Sequence, residues 1–262
     1  MSFKPDTSIG LIGRGAIGGA IAAAIESGSL PGLVLTAVLT RTPPLEGASE
    51  IWCGNLKGFL ARTPDLVIEA AGPEAFATLV PSVLANGCDV IAVSVAALAD
   101  DVVEAAVNAA IAKSGARLHV ASGAIGALDS LAAARELGLD SVELVQRKPH
   151  AAFPGVDLQP GMTQIVSTGT ARDAAIAFPR NSNIAAAVAL AGVGFDQTRV
   201  TVVADHEATT NQAELKVSGR FGRFDLTIQN RPSEANARTA AITAQSVISA
   251  LRRSRAAIAV PA

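Results

Sequence analysis

The chain has 262 residues, half of them hydrophobic and 17% charged, with a formal net charge of −2. That is enough apolar material for one large domain or two smaller ones. It excludes the basic surface that nucleic acid demands. Aromatic residues make up only 3%, too few for a stacking platform on single strands. The first residues, MSFKPDTS, carry no apolar signal core, and no uninterrupted apolar run is long enough to cross a bilayer. Cys53 and Cys88 give neither a disulfide framework nor a metal-ligand spacing. A reduced, cytoplasmic protein with no metal, no membrane and no nucleic-acid partner is therefore expected. There is no tyrosine, which excludes a Tyr-Lys catalytic pair. Any imidazole chemistry falls to His119, His150 or His206.

Residues 7–27 read as a strand, a glycine turn and a helix. The apolar run Ile9–Ile12 leads into Gly13-Arg14-Gly15-Ala16-Ile17-Gly18, a G-x-G-x-x-G, and an Ala/Ile-rich helical segment follows at once. That context turns a weak motif into a usable one. Gly13 allows the tight turn, Gly15 lets the backbone approach a pyrophosphate, and Gly18 lets the helix pack against the strand. The N–H groups at the helix start, those of Ala16 and Ile17 included, face the phosphates, helped by the helix dipole. Leu33–Thr40 is the second strand. Where an acid would bind the ribose hydroxyls of NAD, the chain has Arg41, which suits a 2′-phosphate. Pro43-Pro44 ends regular structure there.

A short helix is expected over 56–62 and a buried strand over Asp65–Ala70. That strand stops at Ala71-Gly72, a second opening of a strand onto a helix and so a second stretch of the cofactor crevice. Pro73 opens the helix. Asp89–Val95 and Arg117–Val120 read as strands around the amphipathic helix Asp100–Ser114, with His119 a packed, neutral strand residue. At least five βα alternations predict a doubly wound parallel sheet. After Val120 a turn, Ser122–Asp129, enters a helix running to about Glu136, and leaves backbone N–H groups free. The strands Ser141–Arg147, Gln164–Ser167, Arg199–Ala204, Ala213–Ser218 and Arg223–Gln229 alternate polar and apolar residues, the period of a sheet with one wet face. Helices Ala171–Ala177 and Asn183–Ala191 interrupt them, and Ala235–Arg252 is a last helix that packs on the first half. The expected fold is α/β: a Rossmann-like parallel sheet over 1–121 with the C-terminal helix of 235–262, plus an α+β domain with a mostly antiparallel sheet over 122–234.

Several stretches taken together resemble the L-aspartate dehydrogenase family over nearly the whole chain. They are Ile12–Gly18, Ser122-Gly123-Ala124-Ile125-Gly126 with Asp129, Arg147-Lys148-Pro149, Phe178-Pro179-Arg180-Asn181 with Asn183, Val203-Ala204-Asp205, Asn211, and Asn230-Arg231-Pro232-Ser233. The resemblance implies a homodimer with contacts through the second sheet. It implies oxidation of L-aspartate to iminoaspartate with NAD or NADP, or the reverse reductive amination. It also implies that Ala124 and Asn183 touch the cofactor near its nicotinamide, and that substrate carboxylates lie near Lys148 and the Ser122–Gly126 turn.

The chain departs from the family where it matters most. The family pattern is Asn-x-His, with the histidine as acid/base; here it is Asn211-Gln212-Ala213, and Ala213 cannot transfer a proton. Two histidines stand where the family has prolines: His150 after Lys148-Pro149, and His206 after Asp205. The candidate catalytic residues are therefore His206, His150, Lys148 and Asn211, with Lys148 as the carboxylate ligand. Losing the acid/base hurts amine oxidation more than reduction of a preformed iminium, so an imine reductase is an alternative. A dinucleotide-binding regulatory homologue without turnover is another.

Overall fold

The computed structural model describes residues 6–42, 50–153, 155–233 and 236–260; Pro43-Pro44 lies outside them. The chain divides into two compact units, one running up to Gly123 and resuming over Thr243–Val260, the other Ala124–Ile242.

The first unit is built from β1 (Thr7–Ile12), α1 (Ala16–Glu26), β2 (Leu33–Leu39), β3 (Trp52–Cys53), α2 (Leu56–Leu60), β4 (Leu66–Glu69), α3 (Pro73–Ala85), β5 (Asp89–Ala92), α4 (Asp101–Ser114) and β6 (Leu118–Val120). Its sheet has the order β3-β2-β1-β4-β5-β6, and every neighbouring pair is parallel. This is the doubly wound sheet that the alternation of apolar runs and helical periods implies. The edge strand β3 is only two residues long and carries no sequence signal of its own. β5 stops at Ala92 instead of reaching Val95, because the Ser94 N–H is drawn onto the Glu69 carboxylate and the chain then winds into a 3-10 turn.

Period two puts odd and even residues of β1 on opposite faces. Ile9 and Leu11 join Ile21, Ala22 and Ile25 of α1 in one buried cluster. Gly10 points the other way, under Phe59 of α2; a Cβ there would come within 2.5 Å of the phenyl Cζ. Both faces of the sheet are thus covered.

The second unit contains α5 (Leu128–Arg135), β7 (Leu139–Pro149), β8 (Thr163–Thr170), α6 (Ala171–Ala177), α7 (Asn183–Ala191), β9 (Arg199–Asp205), β10 (Asn211–Gly219), β11 (Gly222–Asn230), β12 (Pro232–Ser233) and β13 (Asn236–Ala240). The main sheet runs β11-β10-β7-β9-β8. β7 and β9 are parallel and the other pairs antiparallel. Val142, Leu144, Leu215 and Val217 fill its inward face, while Glu143 and Lys216 point out. Thr170 and Asp173 close a reciprocal capping box at the start of α6.

The last helix, α8 (Ile242–Arg253), begins seven residues later than the sequence suggests. Asn236–Ala240 instead form β13, antiparallel to β12. Only from residue 244 does an apolar stripe at helical spacing exist, Ala244, Val247, Ile248 and Leu251, and this stripe enters the cluster around Ile9 and Leu11.

Candidate active site

In the first unit the carboxyl ends of β1, β2 and β4 carry the predicted cofactor residues. Gly13 has φ +89, and a Cβ there would lie 2.7 Å from Ala71. Gly18 sits so close to the Gly13 carbonyl that no side chain fits between them. Gly15 has open space where its Cβ would be. It is also the N-cap of α1, whose first turn holds no acidic residue and receives no side-chain cap. The first N–H groups of α1 therefore keep the vacant donors and positive dipole end that bind a phosphate. Ala16 and Ile17 contribute backbone there; the Ile17 side chain packs against the core. Arg41 is exposed beyond β2, in a turn fixed by two hydrogen bonds. The Trp52 indole N–H donates to Thr40 Oγ1 at 2.9 Å, and Thr40 Oγ1 donates to the Thr42 carbonyl at 2.7 Å.

Glu69 is a buried acid at the second crevice turn. It ends β4 with no exposed surface. Its Oε1 accepts from the N–H groups of Ala71 (2.8 Å) and Gly72 (3.1 Å), and its Oε2 from that of Ser94 (3.0 Å). Burial pushes its pKa up, against those hydrogen bonds. One carboxylate thus holds the Ala71-Gly72 turn, where Gly72 has φ +110, to the turn after β5. In the sequence it is an acid inside the apolar run Leu66-Val67-Ile68-Glu69-Ala70. His119 behaves as expected of a packed strand residue. Burial lowers its pKa, and its Nε2 has no hydrogen-bond partner, with Asp89 3.8 Å away.

The Ser122–Gly126 turn differs from the expectation of free N–H groups. The Gly123 N–H donates to Ser246 Oγ at 3.0 Å, a partner more than a hundred residues away that no local pattern reveals.

In the second unit, strand pairing gathers the predicted residues at one end of the sheet. Parallel pairing sets Lys148 beside Ala204 and Pro149 beside Asp205, so β7 and β9 run out together. The next residues, His150 and His206, meet as stacked rings 4.9 Å apart and 4° from parallel. His206 Nδ1 lies 3.0 Å from Glu207 Oε1. On the other side of β7, Gln146 pairs with Ala213 and Arg147 with Gln212; the next step of that register sets Lys148 across from Asn211. Paired residues share a face. Lys148, Gln146, Asn211 and Ala213 therefore lie inward, while Arg147 lies outward and binds Asp205 at 3.1 Å. Ala213 is 1% exposed.

Two loops are tied to this same end. Asn230 Nδ2 donates to the Ala124 carbonyl at 3.0 Å. Lys148 Nζ donates to the Asn181 carbonyl at 3.4 Å, in the turn that leads to Asn183 at the start of α7. Burial lowers the Lys148 pKa to about 8. Among the described residues no group of three or more His, Cys, Asp or Glu could hold a metal, and no helix is long and apolar enough to cross a membrane.

A parallel doubly wound sheet with a glycine turn opening onto an uncapped helix, joined to a second sheet-based unit, defines an NAD(P)-dependent oxidoreductase. Residues 13–121 match the family model described as homoserine dehydrogenase, NAD binding domain, and residues 129–254 match aspartate dehydrogenase, C-terminal. The chain is 40% identical to L-aspartate dehydrogenase 2 of Bordetella bronchiseptica over 258 residues, 94% of this chain and 96% of that one. It is 41% identical to L-aspartate dehydrogenase of Ruegeria pomeroyi over 263 residues, 95% and 93% of the two chains. The crystal structure of aspartate dehydrogenase from Thermotoga maritima superposes with a TM-score of 0.79 at 26% identity, covering 97% of this chain and 99% of that one. The chain belongs to the aspartate dehydrogenase family.

Proposed function

We propose that the protein oxidises L-aspartate at its amino-bearing carbon with NAD(P), or runs the reverse reductive amination. The observation that carries this is likeness to L-aspartate dehydrogenases over 94% and 95% of the chain, with Lys148 and Asn211 on neighbouring strands, each one step beyond the Arg147–Gln212 pair. Gly13, Gly15, Ala16, Ile17, Gly18, Arg41, Ala71 and Gly72 hold the dinucleotide, and Ala124 and Asn183 contact its nicotinamide end. When bound, it accepts or gives the hydride. Lys148 and Asn211 bind the substrate. Removal of the ammonium proton falls to a titratable group at this sheet end, where Lys148, His150 and His206 are candidates. The test follows reduced nicotinamide with L-aspartate, and separately its consumption with oxaloacetate plus ammonia. No turnover in either direction with either cofactor would sink the proposal and favour a non-catalytic homologue. Ala213 keeps that second reading in play.

Arg41 supports use of NADP at least as readily as NAD, since an exposed guanidinium on a fixed turn suits a 2′-phosphate. Arg41→Asp is expected to weaken NADP binding at least tenfold while leaving NAD binding within a few-fold. Equal Kd values for NADP before and after the change would exclude the role. A homodimer through the outward face of the second sheet, where Glu143, Arg147, Glu214 and Lys216 lie, is the assembly expected; sedimentation measures it. The unbridged Cys53 and Cys88 suit a cytoplasmic setting.

A further inference from the structure

We propose that Lys148, rather than either histidine, takes the proton from the substrate ammonium; this rests on the amino-acid dehydrogenase reading above. Three observations carry it. First, Lys148 shares its inward face with Asn211, Ala213 and Gln146, none of which can accept a proton at neutral pH. Second, its amine donates only to the Asn181 backbone carbonyl among the described residues and meets no carboxylate there. A lysine kept for charge pairing alone would be expected to have such a partner. Third, Lys148 lies on β7, the strand next to β10 with Asn211, whereas His206 follows β9 on the far side of β7. The His206 backbone N–H donates to the Met162 carbonyl, on the side of β9 away from β7. The two rings also stack on each other, 4.9 Å apart.

On Lys148's own strand Arg147 faces outward, bound to Asp205 of β9. On β10, Glu214 also faces outward, beside Gln212. Beyond the strand ends lie His150, His206 and Glu207, the last two bonded to each other. Arg180 belongs to the turn that supplies the Asn181 carbonyl. Burial is what lowers the amine to about 8, into the range where a lysine serves as a base near neutral pH.

The step balances. The neutral Lys148 amine forms an N–H bond as one substrate N–H bond breaks, leaving a neutral substrate amine and a lysine ammonium. The carbon–hydrogen pair at the amino-bearing carbon then leaves as hydride to the oxidised dinucleotide, giving the iminium. Water adds to that carbon, its two protons pass to the nitrogen, which departs as an ammonium ion to leave the ketone, and Lys148 returns its own proton to solvent.

The test compares wild type, Lys148→Arg and Lys148→Met in aspartate oxidation across pH, with dinucleotide binding and circular dichroism as checks on folding. In wild type, log kcat/KM should rise with unit slope and break near 8. Arginine keeps the positive charge but does not deprotonate. Lys148→Arg should therefore lower kcat by about 100-fold or more with KM within a few-fold, and abolish the break. Retention of kcat and of the break in Lys148→Arg would overturn the assignment and leave the lysine a carboxylate ligand. An independent readout needs no variant: the pH dependence of Lys148 acylation in wild type, mapped by mass spectrometry. A midpoint near 8 supports the proposal, and one above 10 overturns it. If wild type shows no aspartate turnover, the substrate reading fails, while the acylation midpoint still decides whether Lys148 can act as a base.

Discussion

Glu69 shows what one side chain contributes when nothing else can replace it. Three backbone N–H groups converge on its two oxygens, so only an acceptor-only group fits. Glu69→Gln removes the charge that burial penalises, yet it turns an NH2 toward a backbone N–H. We expect a loss of about 1–3 kcal/mol from unfilled buried donors, measured by denaturant titration, and weaker dinucleotide binding because the Ala71-Gly72 turn is released. A variant as stable as wild type would mean that the carboxylate is dispensable. Ala213 is the complementary case. It is sealed on the inward face, so Ala213→His must push neighbours aside and should cost about 1–3 kcal/mol. If Lys148 carries the proton, the added imidazole does not raise aspartate oxidation. A tenfold rise would mean instead that the acid/base had been missing.

At the level of elements, Gly10 and α2 explain why both faces of the first sheet are covered. Gly10→Ala must move the buried Phe59 ring and is expected to destabilise by about 1–3 kcal/mol, read as a lower thermal midpoint. Strand and helix periods made nearly every element legible: α6 and α7 begin and end where the pattern of small apolar residues places them. The short strands β3, β12 and β13 were not legible. β3 is too short for any period to show. Asn236–Ala240 looks helical because Ala and Arg favour helices, yet pairing with Pro232–Ser233 overrides that propensity. Site residues divide in the same way. The glycine turn is legible because each glycine answers a local steric demand. The stacking of His150 on His206 is not, because it depends on β7 and β9 running parallel in a sheet whose other pairs are antiparallel. Ser246 beneath Gly123 is equally invisible, since the contact spans the length of the second unit.

For the whole molecule, the second unit is an insertion. The chain begins the nucleotide-binding unit, leaves it at Gly123, builds the second unit over Ala124–Ile242, and only then supplies Thr243–Val260. Leu251 and Val247, both fully buried, join the cluster around Ile9 and Leu11 as its last members. During synthesis the order of completion is therefore inverted. The unit that starts second is contiguous and can close first, while the unit that starts first waits with an apolar groove where α8 belongs. Until translation passes residue 251, that groove presents bare Ile and Leu side chains to the surroundings, the kind of surface that chaperones hold and that aggregates form through. A dinucleotide met early would find its glycine turn already made but resting on an unfinished core.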